Sequence, residues 1–422
     1  MAPTEDGRVA PEGVGLLLSN PAPTRPVSRS MRIGYPCVNE AMDCSSATTF
    51  RLASYTEERL LPTVAANLTC LQRLLEWNAA QGLLFFRISS GVVPFGSHPV
   101  NTYPWQSHFK AEFKALGDFI RANDMRVSLH PDQFVVLNSP DPDIVRRSID
   151  ELIYQGSMLD LMELDGQAKL QIHVGGLYGD RELAISRFAQ VHATLPEAVK
   201  ARVVVENDDR LFSLKDCLHL HELTGVPILF DNFHHECLNH GETMTDALHL
   251  AAQTWDQARD GVLMMDYSSQ ATGERRGKHT DALVDELFRG FLATLEGLDV
   301  DMMLEIKDKE ASALRAVTIL RELGLSPAAP DRPIPPLTLP PDPDAPVKKP
   351  RAPKEPKAAV PEGATSKKKP AKNKQPGVSA LGDAVDFPTP PAQPQKARAP
   401  RKPKPVELVA NAAAPATSTQ NS

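Results

Sequence analysis

Eight times between Met31 and Asp308 the sequence repeats one phrase, a short apolar run rich in β-branched residues followed by a stretch with apolar residues at helical spacing. The runs begin near Met31 (M-R-I-G-Y-P), Gly82 (G-L-L-F-F-R-I-S-S), Met125 (M-R-V-S-L-H-P) and Lys169 (K-L-Q-I-H-V-G-G). They continue near Arg202 (R-V-V-V-E-N-D-D), Val226 (V-P-I-L-F-D-N-F), Val262 (V-L-M-M-D-Y-S-S) and Val300 (V-D-M-M-L-E-I-K-D). None alternates cleanly between apolar and polar, which implies strands buried on both faces in a parallel sheet covered by helices.

The intervening stretches supply those helices. Leu60, Val64, Leu68, Leu71 and Leu75 line one face of the first; Phe109, Phe113, Leu116 and Ile120 line the second; Ile144, Ile149, Leu152 and Ile153 belong to the third. Further helices are expected from about Arg181 to Leu195, Leu214 to Leu223, Met244 to Trp255, Thr280 to Leu295 and Ala311 to Leu323, with Ser213 and Thr280-Asp281 as cap-like starts. Eight β-then-α units in residues 31–325 predict an α/β fold, a (β/α)8 TIM barrel. An open doubly wound sheet is the alternative, weakened because no G-x-G-x-x-G follows the first strand.

Outside this region the composition changes. Residues 1–30, rich in Pro, Gly and Ser, are expected to be disordered, and Met31 is itself a candidate start. From residue 331 onward there are 16 Lys and Arg against 8 Asp and Glu, and 21 of the 38 prolines. The net charge of −7 therefore divides into an acidic body and a basic tail. Residues 326–422 are expected to form a long disordered tail, too poor in apolar surface to offset its ordering entropy and suited to non-specific contact with nucleic-acid phosphates. No apolar run reaches membrane-spanning length and no signal-peptide pattern opens the chain, so a cytoplasmic protein is expected. Five cysteines without a C-x-x-C pair indicate neither a disulfide framework nor a zinc ribbon, in keeping with a reducing compartment.

In a parallel barrel the carboxyl ends of the strands share one rim, where the active site lies. That rim receives His130 after strand three, His173 at strand four, Glu206 at strand five, and Asp231 with His234 after strand six. Asp266 at strand seven, His279 in the loop beyond it and Glu305 at strand eight complete the set. A single such residue is more often a core histidine or a helix cap; recurrence over six consecutive units points to metal ligands. Imidazole and carboxylate together suit Mn²⁺, Zn²⁺ or Fe²⁺, and eight ligands suit two or three ions bridged by carboxylates such as Glu206. Such a cluster fits phosphoryl chemistry; sugar isomerisation on a similar barrel is the competing reading.

The chain resembles the UV damage endonuclease family, itself similar to endonuclease IV and the wider xylose-isomerase-like barrels. The likeness runs from about Met31 to Val317 through G-Y-P-C-V-N (Gly34 to Asn39), R-I-S-S-G-V-V-P-F-G-S-H (Arg87 to His98), H-P-D-Q-F (His130 to Phe134), I-H-V-G-G (Ile172 to Gly176) and V-E-N-D (Val205 to Asp208). It continues through D-N-F-H-H (Asp231 to His235), D-Y-S-S-Q (Asp266 to Gln270), G-K-H-T-D (Gly277 to Asp281) and L-E-I-K-D-K-E (Leu304 to Glu310).

The resemblance implies a DNA-repair enzyme that nicks the backbone immediately 5′ to a UV photoproduct in duplex DNA, leaving a 3′-hydroxyl and a 5′-phosphate, with manganese as the ion. By the same likeness His130, His173 and Glu206 hold one ion, Glu206, Asp231, Asp266 and Glu305 a second, and His234 with His279 a third. Glu206, Asp231 and Glu305 are then catalytic, with His98 a phosphate or supporting contact. Gln133 and Phe134, with Tyr35 and Asn39, face the lesion, and the protein is expected to act as a monomer. Two positions depart from the family's K-x-H before Y-S-S-Q: Met264 stands where many members carry a carboxylated lysine, and Asp266 where they carry histidine. An abasic-site endonuclease and a non-catalytic damage-binding protein remain alternatives at this point.

Overall fold

In the computed structural model, which describes residues 31–325, 334 and 336–340, the eight apolar runs are eight parallel strands. They are β1 (Ile33–Pro36), β2 (Phe85–Ile88), β3 (Arg126–Leu129), β4 (Lys169–His173), β5 (Val203–Glu206), β6 (Ile228–Asp231), β7 (Leu263–Tyr267) and β8 (Val300–Leu304). Each pairs with its neighbours in sequence, and β8 pairs back with β1, so the sheet closes into the expected TIM barrel. The main helices around it are α1 (Glu57–Gln81), α2 (Lys110–Ala122), α3 (Pro142–Leu161), α4 (Arg181–Thr194), α5 (Leu214–Thr224), α6 (Met244–Ala252), α7 (Asp285–Thr294) and α8 (Glu310–Glu322).

Strand alternation sorts the side chains into two cores. Outward residues such as Ile33, Tyr35, Val203, Val205, Met265 and Tyr267 pack under the helices, while Phe85, Val204, Leu229, Met264 and Met303 form a separate apolar layer inside the barrel. Between Ile33 and Tyr35, a Cβ on Gly34 would fall 2.4 Å from the Phe85 carbonyl oxygen, so this close approach of β1 to β2 requires glycine. Below the apolar layer, buried ion pairs close the amino-terminal end: Arg126 with Asp301 at 3.0 Å, Arg32 with Asp301 at 3.1 Å and Lys169 with Asp260 at 2.6 Å. Arg126 and Lys169 both lie over the Trp255 ring. Above that layer the inward positions turn polar, and the functional rim begins there.

Several local expectations hold and others change. Ser213 caps α5 in a reciprocal capping box with Asp216. Thr280 does not start a helix: its N–H bonds the Ser269 carbonyl, its hydroxyl bonds Ala282, and α7 begins only at Asp285. Ile153 is exposed, because the buried stripe of α3 runs through Ser148, Leu152, Gln155 and Leu159 instead.

The cysteines also depart from expectation. Cys44 and Cys70 form a disulfide, with Cα atoms 5.8 Å apart. The loop after β1 folds back onto α1, where the Asn67 amide bonds both the N–H and the carbonyl of Thr48, and this long-range contact is invisible to a count of cysteine spacings. Residues 336–340, placed within the expected tail, lie against α1: Leu337 is buried, its N–H donates to Glu76 Oε1 at 2.8 Å, and the Gln72 amide donates to its carbonyl. Two apolar side chains in P-P-L-T-L-P are enough to dock that short segment. Residues 1–30 and the remainder of 326–422, expected to be disordered, lie outside the described residues.

Candidate metal centre

Strand register assembles the site. Pairing of β4 with β5 sets His173 level with Glu206, and pairing of β6 with β7 sets Asp231 level with Asp266. Each of these acids ends its run at an inward position, above the apolar layer that contains Val204, Leu229 and Met264. His130 follows β3 directly and Glu305 follows β8. His234 sits in the short helix Asn232–Cys237, which Asp231 caps by accepting the His234 N–H at 2.7 Å.

Glu206 is the centre. Its Oε2 lies 3.4 Å from His130 Nε2 and 3.5 Å from His173 Nε2, and its Oε1 lies 3.0 Å from His234 Nδ1. His234 Nδ1 is also 3.6 Å from Asp231 Oδ2. His279 Nδ1 lies 4.0 Å from Glu305 Oε2. Backbone carbonyls orient the outer rings: His130 Nδ1 bonds Pro131 and His279 Nδ1 bonds Glu305, which leaves Nε2 of each ring for other partners.

Three sets of side chains bring ligand atoms within 4.8 Å of one another: His130, His173 and Glu206; Glu206, Asp231 and His234; Asp231, Asp266 and Glu305. The donor types fit hard-to-borderline divalent cations. One buried atom of the set supports that fit, since Asp231 Oδ2 has no hydrogen-bond partner.

The electrostatics agree. Burial raises Glu206, but the charges and hydrogen bonds of His173, His130 and His234 outweigh it and hold the carboxyl well below its usual range. Asp231 is pushed up to about 6, chiefly by burial and then by its carboxylate neighbours Glu206 and Glu305, against the pull of His234. Burial also raises Asp266, helped by Glu305, Glu206 and Asp231 and opposed by Arg87. For His234, burial disfavours the charged ring, yet Asp231 and Glu206 prevail and raise it to about 12. So much concentrated negative charge binds protons where it could bind cations.

The mouth of the site is a cavity of about 420 Å³ lined by Cys37, Arg87, His130, Gln133, His279 and Lys309 among others. Beyond it, Gln133 is exposed and Phe134 is 54% exposed, on the loop that begins with His130.

A family model described as UV-endonuclease UvdE matches residues 31–326. The UV DNA damage endonuclease of Clostridium perfringens (strain 13 / Type A) is 34% identical over 295 residues, covering 70% of this chain and 72% of that protein. The one from Bacillus velezensis is 32% identical over 289 residues, covering 65% and 89%. The crystal structure of SacUVDE superposes with a TM-score of 0.67 at 44% identity, covering 69% of this chain and 99% of that one.

The chain belongs to the UV-endonuclease UvdE family. Of the residues its sequence singled out, seven of the eight expected ligands fall in the three sets; His279 stands beside them against Glu305. His98 does not join them. It is exposed in the loop after β2, where its Nδ1 accepts the Val100 N–H. Tyr35 and Asn39 are fully buried, Tyr35 donating to Asn78 Oδ1 of α1 at 2.7 Å and accepting from Asn39 at 2.9 Å. Tyr35 points into the helix layer because β1 gives its inward position to Gly34, so neither residue lies on the open face beside Gln133 and Phe134.

This UvdE-family site also contains two side chains to which sequence reasoning assigned no role, Arg87 and Gln171. Arg87 Nη2 lies 2.8 Å from each carboxylate oxygen of Asp266 and from Gln171 Oε1, and Nη1 donates to Glu305. Gln171 Nε2 donates to Glu206 and Asp266, each at 2.6 Å. Their signal was present as polar residues inside otherwise apolar strands, F-F-R-I and K-L-Q-I-H.

Proposed function

We propose that this protein nicks duplex DNA immediately 5′ to UV photoproducts, leaving a 3′-hydroxyl and a 5′-phosphate. The observation that carries this reading is Glu206, reached by His130 and His173 on one oxygen and by His234 on the other, at the open end of the barrel. Its shared position suits a carboxylate that bridges two ions. Membership of the UvdE family and the name of the C. perfringens relative supply the substrate class.

His130, His173, Glu206, Asp231 and His234 would hold divalent ions, manganese by preference; ions so held would activate water for attack at phosphorus and offset charge on the leaving oxygen. The chain's own groups do the rest. Gln171 fixes the Glu206 carboxylate by its 2.6 Å hydrogen bond. Lys307 and Lys309, from the loop after β8, line the mouth and offer positive charge to a backbone phosphate. Gln133 and Phe134 fill the gap left when a poorly stacked photodimer is extruded, and Phe134 supplies an apolar face for the neighbouring base. On this reading the protein acts on chromosomal DNA in the cytoplasm, as a monomer, with the basic tail adding non-specific contacts.

The test is an end-labelled duplex carrying one thymine dimer, incubated with Mn²⁺ and then with chelator. A single nick directly 5′ to the dimer, lost on chelation and in Glu206→Ala, supports the reading. Cleavage of abasic DNA with the dimer ignored, or dimer binding without cleavage, overturns it.

A further inference from the structure

We infer that Arg87 stands in for an ion: its guanidinium, clamped by Asp266, Glu305 and Gln171, fills one end of the acidic cluster, and the chain binds two divalent ions rather than three. The inference rests on the metal-dependent reading above and narrows it. It also changes the role of Asp266, expected from the sequence to be a ligand, into that of a residue that positions Arg87.

The three ligand sets are not alike. Two contain imidazoles, and they share Glu206; the third, Asp231, Asp266 and Glu305, contains carboxylates alone. Arg87 is bound within this third set. Its Nη2 is 2.8 Å from both oxygens of Asp266, and its Nη1 donates to Glu305. Asp266 Oδ2 accepts a second bond from Gln171 Nε2 at 2.6 Å, so the carboxylate is ringed by donors. Asp231 Oδ2, by contrast, is buried with no hydrogen-bond partner.

An ion touching both Asp266 and Glu305 would lie against the guanidinium, and two cations at contact distance in a buried site repel strongly. Arg87 has little room to withdraw. It is 3% exposed, its amide partner Gln171 is fully buried, and its own carbonyl accepts the Cys37 N–H at 2.9 Å. A permanently charged guanidinium there offsets the carboxylates and, unlike a bound ion, cannot exchange. Arg87 makes no bond to the two imidazole-containing sets, which meet its network only where Gln171 Nε2 donates to Glu206 Oε2 at 2.6 Å.

The decisive measurement is ion stoichiometry. Full-length protein is stripped of metal, reloaded with Mn²⁺, freed of excess by gel filtration and assayed for manganese per chain, with the electron paramagnetic resonance spectrum of the bound manganese recorded alongside. Two ions are expected in the wild type and two, with an unaltered spectrum, in Asp266→Asn, which keeps an oxygen for Arg87. Glu206→Gln is expected to hold fewer than two. Arg87→Met frees both carboxylates and should gain an ion; if it does not fold, Asp266→Asn decides alone. Three ions in the wild type, or one lost in Asp266→Asn, overturns the inference and leaves the metal centre standing. A wild type that retains no manganese overturns the metal centre itself and this inference with it.

Discussion

His234 Nδ1 lies 3.0 Å from Glu206 Oε1 and 3.6 Å from Asp231 Oδ2, so one imidazole spans two buried acids of the rim. In the metal-free protein this arrangement holds a proton, and its release is a measurable part of metal binding.

The sign follows from the shifts. With His234 raised to about 12 and Asp231 to about 6, His234 is protonated throughout the neutral range and Asp231 joins it below about pH 6. A divalent ion competes with those protons, so its affinity should rise with pH. Release of about one proton per chain is expected near pH 8, and a larger number near pH 5. Calorimetric titration of Mn²⁺ in two buffers of different ionisation enthalpy reads the proton count, and an affinity flat from pH 5 to 8 would contradict it.

Phe134 projects from the same loop as His130 but ends 54% exposed, away from the ligand atoms. Removing its ring in Phe134→Ala should weaken binding to dimer-containing duplex by about 1–3 kcal/mol, roughly 5- to 150-fold, as expected for one lost base-stacking contact. Manganese stoichiometry should not change. Equal affinity of variant and wild type for damaged DNA in a fluorescence anisotropy titration would place the wedge elsewhere.

Lys169 and Asp260, 2.6 Å apart and buried at the opposite end of the barrel, should matter to stability alone. In Lys169→Met, Asp260 keeps Arg259 at 2.7 Å as a partner, so a loss of about 3 kcal/mol is expected, at the low end for a broken buried pair. Urea unfolding measures it. A fall in manganese bound by the folded variant would show coupling between the two ends that the intervening apolar layer argues against.

The stretch beyond residue 340 carries most of the basic charge outside the barrel region. Its deletion should leave dimer cleavage at low salt intact and flatten the dependence of DNA affinity on salt, by about 0.9 in log–log slope for each phosphate contact removed. Binding isotherms at several potassium chloride concentrations test this, and an unchanged slope would show that the tail makes no phosphate contacts.

Much of the architecture was legible because it depends on local chemistry. Short buried β-branched runs, alternating with helical apolar spacing, specify both element types, and the strong preference for consecutive parallel strands to neighbour one another orders them. Once eight such units close, His130, His173, Glu206, Asp231, Asp266 and Glu305 must converge, since each sits at the carboxyl end of its strand.

What the sequence determined by itself, then, was the barrel, the rim and which imidazoles and carboxylates converge on it, all consequences of periodicity and position within a repeat. Tertiary structure alone decided the pairings. It sent Tyr35 outward to Asn78 when the close approach of β1 to β2 left room inside only for Gly34. It joined Cys44 to Cys70 and laid Leu337 on α1. It also brought Arg87 of β2 across the barrel to Asp266 of β7. Such contacts depend on which inward positions share a layer when the sheet closes, and strand twist and stagger set that geometry over distances that no local pattern spans.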